Sequence, residues 1–297
     1  MNAAARLMLL ITALAAQPLS LVPASRPVGS AAAVPAHPAV AGDGGAACTT
    51  CHTEVMGARV VHGPVAAGQC GACHVVDTSG GVRRIALKGG GSSRDTTRLC
   101  IACHEDIADR LTLPHRHAPV ASGTCTVCHD PHGSAFRFQL PAEGDRACVR
   151  CHQDIADALA QPHVHPPAAA SCRICHDPHA GAHPSQLRAR SNSLCLACHV
   201  NAPADRPVAD ATTIFGRHAD DIVDRLVASG SRILLDASRV SGHPTIAHPV
   251  DARQDPSRKG RTLDCASCHN PHGTAVAKLL RFGATGISSL CIRCHRM

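Results

Sequence analysis

Eighteen cysteines occur only as pairs separated by two residues, and a histidine follows every pair. The nine pentapeptides are CTTCH (48–52), CGACH (70–74), CIACH (100–104), CTVCH (125–129), CVRCH (148–152), CRICH (172–176), CLACH (195–199), CASCH (265–269) and CIRCH (291–295). No cysteine is left over. Thiol pairs at this spacing can form disulfides, hold zinc or add to the vinyl groups of a porphyrin. A disulfide framework has no use for a histidine after every pair. Structural zinc takes two pairs about 15–20 residues apart and does not require that histidine, and nine pairs cannot all be matched two by two. Covalent haem attachment needs all three residues. A three-residue step puts both sulfurs on one side of a helical turn, where they add across one porphyrin edge, and the next residue projects over the ring to ligate the iron. The expectation is nine covalent haems c. The attaching thiols are Cys48, Cys51, Cys70, Cys73, Cys100, Cys103, Cys125, Cys128, Cys148, Cys151, Cys172, Cys175, Cys195, Cys198, Cys265, Cys268, Cys291 and Cys294. The proximal ligands are His52, His74, His104, His129, His152, His176, His199, His269 and His295.

Nine irons need nine sixth ligands. Outside the N-terminal segment the chain has only Met56 and Met297, each too near its own motif to cross that haem. Histidine is the alternative, and thirteen remain beyond the proximal set. His132, His179 and His272 stand three residues after a proximal histidine, too close to reach the far face of the same iron, so they serve another haem. His62, His117 and His165 lie in H-x-P contexts seven or eight residues before a motif. His248 is a weaker match farther from Cys265. The last two ligands come from His37, His218, His243, His115 or His163, with His218 and His243 preferred. Ligation by two histidines gives low-spin, low-potential haems, whereas methionine would raise the potential.

The elements that carry these residues repeat. Cys100 to Cys148 spans 48 residues, and Cys148 to Cys195 and Cys125 to Cys172 each span 47, so the unit is about 47–48 residues with two haems. The segments EDIADRL and QDIADAL after His104 and His152 read as short helices, ended by Pro114 and Pro162. The C-x-x-C-H-x-P-H units CTVCHDPHG, CRICHDPHA and CASCHNPHG, each followed by another C-x-x-C-H, resemble the doubled-CXXCH multihaem cytochromes c. The resemblance covers most of residues 48–297 and implies a periplasmic or cell-surface electron carrier. The chain departs from it at CGACHVVDTSGG, which has no tandem histidine, and in the long gap between His199 and Cys265.

There is no Trp or Tyr and there are four Phe in 297 residues, so the usual aromatic core is absent. Porphyrins take its place, with roughly 30 residues of chain around each. The fold expected is mostly irregular, with short α-helices, little β and two-haem repeats. Residues 1–33 read as a secretory signal, with Arg6 before the apolar run Leu7 to Ala16, which is too short to span a bilayer. Residues 34–199 form a seven-haem region and 265–297 a C-terminal two-haem unit. Residues 200–264 form a haem-free insertion that carries ligands, with a helical stretch from Asp220 to Leu235 interrupted by Gly230.

The formal net charge of +7 does not point to nucleic acid. Removing the signal and adding eighteen propionates takes the protein to roughly −4 with ferric and −13 with ferrous haems. Lys and Arg then offset propionates. The function expected is outer-sphere electron transfer between other redox proteins, in the periplasm or at the cell surface. The donor would be a membrane quinol oxidase or the partner an outer-membrane conduit. A multihaem reductase would need an iron with an open position, which nothing marks here. A structural subunit of a cytochrome filament or of a conduit is the third reading.

Overall fold

The computed structural model describes residues 37, 45–77, 81, 83–90, 96–199, 254–285 and 287–295. The signal, the Asp220–Leu235 stretch, His218, His243 and His248 lie outside the described residues.

The chain is built from one short pattern used repeatedly. Eleven helices are described: α1 Gly45–Thr49, α2 Gly63–Ala66, α3 Thr97–Ile101, α4 Glu105–Arg110, α5 Ala118–Ala121, α6 Arg146–Val149, α7 Gln153–Leu159, α8 Pro166–Ala170, α9 Ser191–His199, α10 Cys265–Cys268 and α11 Ile287–Cys291. The strands are β1 Val60–Val61, β2 His74–Asp77, β3 Arg84–Leu87, β4 His115–Arg116, β5 Gly133–Ser134, β6 His163–Val164, β7 Ala180–Gly181 and β8 Gly273–Thr274. The mostly irregular, short-helical architecture agrees with the expectation. The two helices read from sequence are α4 and α7. They end three to four residues before Pro114 and Pro162, so the prolines bar further helix rather than mark its last turn.

Each H-x-P histidine caps a helix of four or five residues with Pro in its first turn, where the missing N–H costs nothing. That helix leads into a 3-10 turn over the first motif, at Cys70–Ala72, Cys125–Val127 and Cys172–Ile174. After the first motif come a tandem histidine and a two-residue strand. A kinked 3-10 turn follows, and then the second motif.

Consecutive units are tied by two-residue antiparallel ladders: β1 with β5, β4 with β7 and β6 with β8. In each, the residues before an H-x-P histidine pair with those after the tandem histidine of the next unit. The CGACH unit is different. Strands β2 and β3 form a hairpin inside it, pairing His74 with Leu87 through Asp77 with Arg84.

Among the described residues the buried apolar side chains are Ala180, Ala189, Ala284 and Pro167, and the largest fully buried residue is Asp255. Small buried residues and half-exposed helices frame space rather than fill it. This is the packing expected of a chain whose apolar payload is supplied by bound porphyrins. No helix among the described residues is long and apolar enough to cross a membrane.

Candidate haem-binding sites

Seven proximal histidines face a second histidine ring in near-parallel pairs. They are His52 with His37 (6.2 Å between ring centres), His104 with His62 (6.0 Å), His74 with His132 (6.0 Å), His152 with His117 (5.8 Å), His129 with His179 (6.1 Å), His199 with His165 (6.0 Å) and His176 with His272 (6.1 Å). The ring planes differ by 12–23°. Two metal–imidazole bonds of about 2.0–2.1 Å, plus about 1.1 Å from each nitrogen to its ring centre, span about 6.2–6.4 Å. The seven gaps therefore fit one axially ligated iron each.

Two rules generate six of these pairs. The H-x-P histidine of a unit faces the second motif of the same unit: His62–His104, His117–His152, His165–His199. The tandem histidine faces the first motif of the preceding unit: His132–His74, His179–His129, His272–His176. The ladders enforce this register. His62 N–H donates to the His132 carbonyl at 2.9 Å, His117 to His179 at 3.0 Å and His165 to His272 at 3.1 Å. The pair His37–His52 precedes the first full unit. Here His37 N–H donates to the Arg83 carbonyl at 2.9 Å, so the β2–β3 hairpin does the docking that a tandem-histidine strand does elsewhere. This explains the missing tandem histidine after His74: no first motif precedes it within residues 37–69 to be served.

Backbone carbonyls hold several of the rings through Nδ1. His129 Nδ1 bonds the Phe138 carbonyl at 2.7 Å, His176 the Ser185 carbonyl at 2.8 Å and His269 the Lys278 carbonyl at 2.8 Å, each nine residues on. Those acceptors sit in the left-handed region, with φ 61° at Phe138, 58° at Ser185 and 59° at Lys278. Non-glycine residues rarely adopt it, and its cost is met because the turn aims the carbonyl at the imidazole. Among the facing histidines, His62 Nδ1 bonds the Pro131 carbonyl at 2.9 Å and His165 Nδ1 the Pro271 carbonyl at 3.1 Å. An Nδ1–H donated to a carbonyl fixes the tautomer that leaves Nε2 free for metal. The residue directly after the first-motif histidine supplies an Asx turn: Asp130, Asp177 and Asn270 Oδ1 accept the N–H of His132, His179 and His272 at 2.9, 3.0 and 3.1 Å. Burial, then the neighbouring His199, pushes the His165 imidazole down to about 4, and burial lowers His74, His117, His179 and His272 likewise. Neutral imidazole is the form a metal takes.

The thiols form a single file. Cys48 is within hydrogen-bonding reach of Cys70, Cys100 of Cys125, Cys148 of Cys172 and Cys195 of Cys265. Between these contacts, Cys73 lies near Cys100, Cys128 near Cys148, Cys175 near Cys198 and Cys268 near Cys294. No disulfide joins any two of the eighteen. Each motif thus neighbours the ones before and after it. Side chains three residues ahead of a second motif reinforce two of the contacts: Asp145 accepts the N–H of Cys172 and Asn192 that of Cys265, both at 2.9 Å.

A family model described as the doubled CXXCH motif matches residues 62–109, 117–157, 165–204 and 256–297, together more than half of the chain. The chain belongs to this family. Its membership makes it a multihaem c-type cytochrome, with covalent haem c on C-x-x-C-H motifs. No curated relative matches the chain. The doubled-CXXCH matches include the unit that lacks a tandem histidine, and three of them begin at His62, His117 and His165. The 48 residues between the starts of the second and third matches equal the period read from sequence, whereas the first and second starts are 55 apart.

Of the seven distal candidates singled out by context, six stand opposite a proximal histidine, and His248 lies outside the described residues. His37, one of the five left open for the last two places, faces His52. Its H-P-A context differs from H-x-P, which is why spacing did not single it out. His115 and His163 lie in β4 and β6, two residues before the histidines that face iron sites.

The fourth unit enters its first motif without an H-x-P helix. Its place is taken by residues 254–264. Buried Asp255 accepts from Ser257 N (2.8 Å) and Oγ (2.6 Å), and Arg258 bridges Asp255 and Asp264 and donates to Ser267 Oγ at 2.7 Å, inside the CASCH motif. Burial opposes the charge on Asp255, but the hydrogen bonds from Ser257, Ser267 and Arg258 outweigh it and hold the carboxyl well below its usual range.

Proposed function

We propose that this cytochrome carries nine haems c in single file and passes electrons along them between external redox partners. The observation that supports this is the unbroken, sequence-ordered line of attachment thiols, from Cys48 to Cys294. When bound, each haem supplies a one-electron ferric–ferrous couple. The chain's part is to offer facing pairs of imidazoles that would hold the iron, keep neighbouring attachment sites adjacent and set local polarity. In this reading His37, His62, His117, His132, His165, His179 and His272 are the distal ligands of seven sites. His218, His243 and His248 are the pool for those of His269 and His295. Residues 1–33 direct export, and the protein works in the periplasm or at the cell surface. Its partners are other redox proteins, with a quinol-oxidising membrane donor or an outer-membrane conduit at the ends of the route.

Intact mass after acid–acetone extraction tests the count: nine retained haems support the reading, and seven or fewer refute it. Carbon monoxide added to the reduced protein separates carrier from enzyme. A carrier with full histidine ligation does not bind it, whereas a catalytic iron with an open position does.

A further inference from the structure

We propose that Asp177, balanced by Arg110, is a positioning residue that sets the redox potential of the centre closed by His129 and His179. The inference rests on the ligand reading above and goes beyond it, because it ranks otherwise equivalent centres.

The three unit junctions offer an internal comparison. The residue directly after the first-motif histidine is Asp130, Asp177 or Asn270. The residue facing it from the preceding unit, six positions after a second-motif histidine, is Ala58, Arg110 or Ala158. A Cβ on Gly133 or Gly273 would lie 2.8 Å from the Ala58 side chain or 2.2 Å from the Ala158 carbonyl, so both alanines pack at their junctions. The charged pair occurs together at the middle junction and nowhere else among the three. Asp177 is only 8% exposed, and Arg110 reaches from α4 to its carboxylate. The Asp130 side chain is 55% exposed, and Asn270 is neutral and donates to the Gly273 carbonyl.

His179 shows why this matters. Its Nδ1 is buried, has no hydrogen-bond partner and lies 3.8 Å from Asp177 Oδ1. The charged groups facing it are Asp177, Arg110 and, from the start of α4, Asp106. A charge this close, away from bulk water, acts several-fold more strongly than an exposed one. Loss of one electron to an external acceptor leaves the centre one unit more positive. The Asp177 carboxylate favours that oxidised form and lowers the potential, while the Arg110 guanidinium raises it. The middle junction is thus held by two opposed charges, each able to move the potential alone.

The test is a potentiometric titration of the haem-loaded full chain, followed by visible absorption. Asp177→Asn should move one of the nine steps to higher potential. Arg110→Gln should move the same step lower, and the double variant should return it toward the parent. Asn270→Asp should lower a different step, and Arg110→Lys, which keeps the charge, should leave the curve as in the parent. Single variants that shift in the same direction, or an unmoved curve, would overturn the proposal. Haem count and spin state on the same samples test the ligand reading separately. A low-spin, fully loaded variant with unmoved potentials refutes this inference alone, whereas a parent protein lacking low-spin haems refutes the reading beneath it.

Discussion

Gly273 offers the most direct test of how the units hold one another's ligands. It follows His272 in β8, and its φ is one that alanine adopts without strain, so the substitution acts through space alone. An added Cβ would stand 2.2 Å from the Ala158 carbonyl oxygen, 3.1 Å from its carbon and 3.2 Å from the His163 oxygen. All three are backbone atoms with no rotamer to yield. Restoring an ordinary contact moves β8 away from α7 and β6 by roughly 1 Å, while metal–ligand bonds tolerate only about 0.2 Å. Overpacking of this kind costs about 1–3 kcal/mol. The displaced residue adjoins His272, whose ring stands 6.1 Å from that of His176. Gly273→Ala should therefore turn one haem high-spin and carbon-monoxide-reactive, with the haem count of the parent retained. Gly63→Ala is the control, because nothing lies within 4 Å of its added Cβ. Ligand-field absorption of the oxidised protein and carbon monoxide difference spectra of the reduced protein give the result. A fully low-spin Gly273→Ala protein would refute the claim that the ladder sets the ligand.

Three further outcomes are expected. His132→Ala and His179→Ala should each produce one high-spin haem, attached at the preceding unit's first motif, and the double variant two; magnetic circular dichroism counts them. His37→Ala should do the same at Cys48–His52, whereas His163→Ala should leave the spectrum unchanged. Asp255→Asn should destabilise the fourth unit by about 2 kcal/mol at neutral pH, because Arg258 keeps Asp264 but loses one of its two carboxylates and Ser257 loses a charged acceptor, and thermal unfolding measures this. The contribution of Asp255 is complete above its unfolded pKa near 4 and is lost as pH falls, since the unfolded chain takes up a proton the folded one refuses. The gap between variant and parent should close on acidification and stay constant between pH 6 and 8.

Motif chemistry was legible from residue identity alone, because a thiol pair followed by imidazole has one economical use. That each tandem histidine would face a motif other than its own was also legible, since three residues cannot wrap a porphyrin. Their direction was not. That His132 reaches back to His74 depends on the β1–β5 ladder, and a two-residue strand leaves no periodic trace. His37 was hidden for the same reason: its docking partner is the Arg83 carbonyl, and a backbone acceptor has no side-chain signature. The left-handed turns at Phe138, Ser185 and Lys278 escaped notice because none is glycine. The DARQDPSRKG stretch reads as a loop by composition, yet its second aspartate is the most deeply buried large side chain described, held by an arginine three residues on.

A tandem histidine that belongs to one unit and completes the one before it bears on biosynthesis. Under the export and ligand readings proposed above, a chain delivered N-terminus first presents its first-motif sites before the imidazoles that face them exist outside the translocation pore. The site at His74 waits for His132, that at His129 for His179 and that at His176 for His272. On that reading the sites close as an overlapping series, each newly emerged segment bringing up the imidazole that faces the motif behind it.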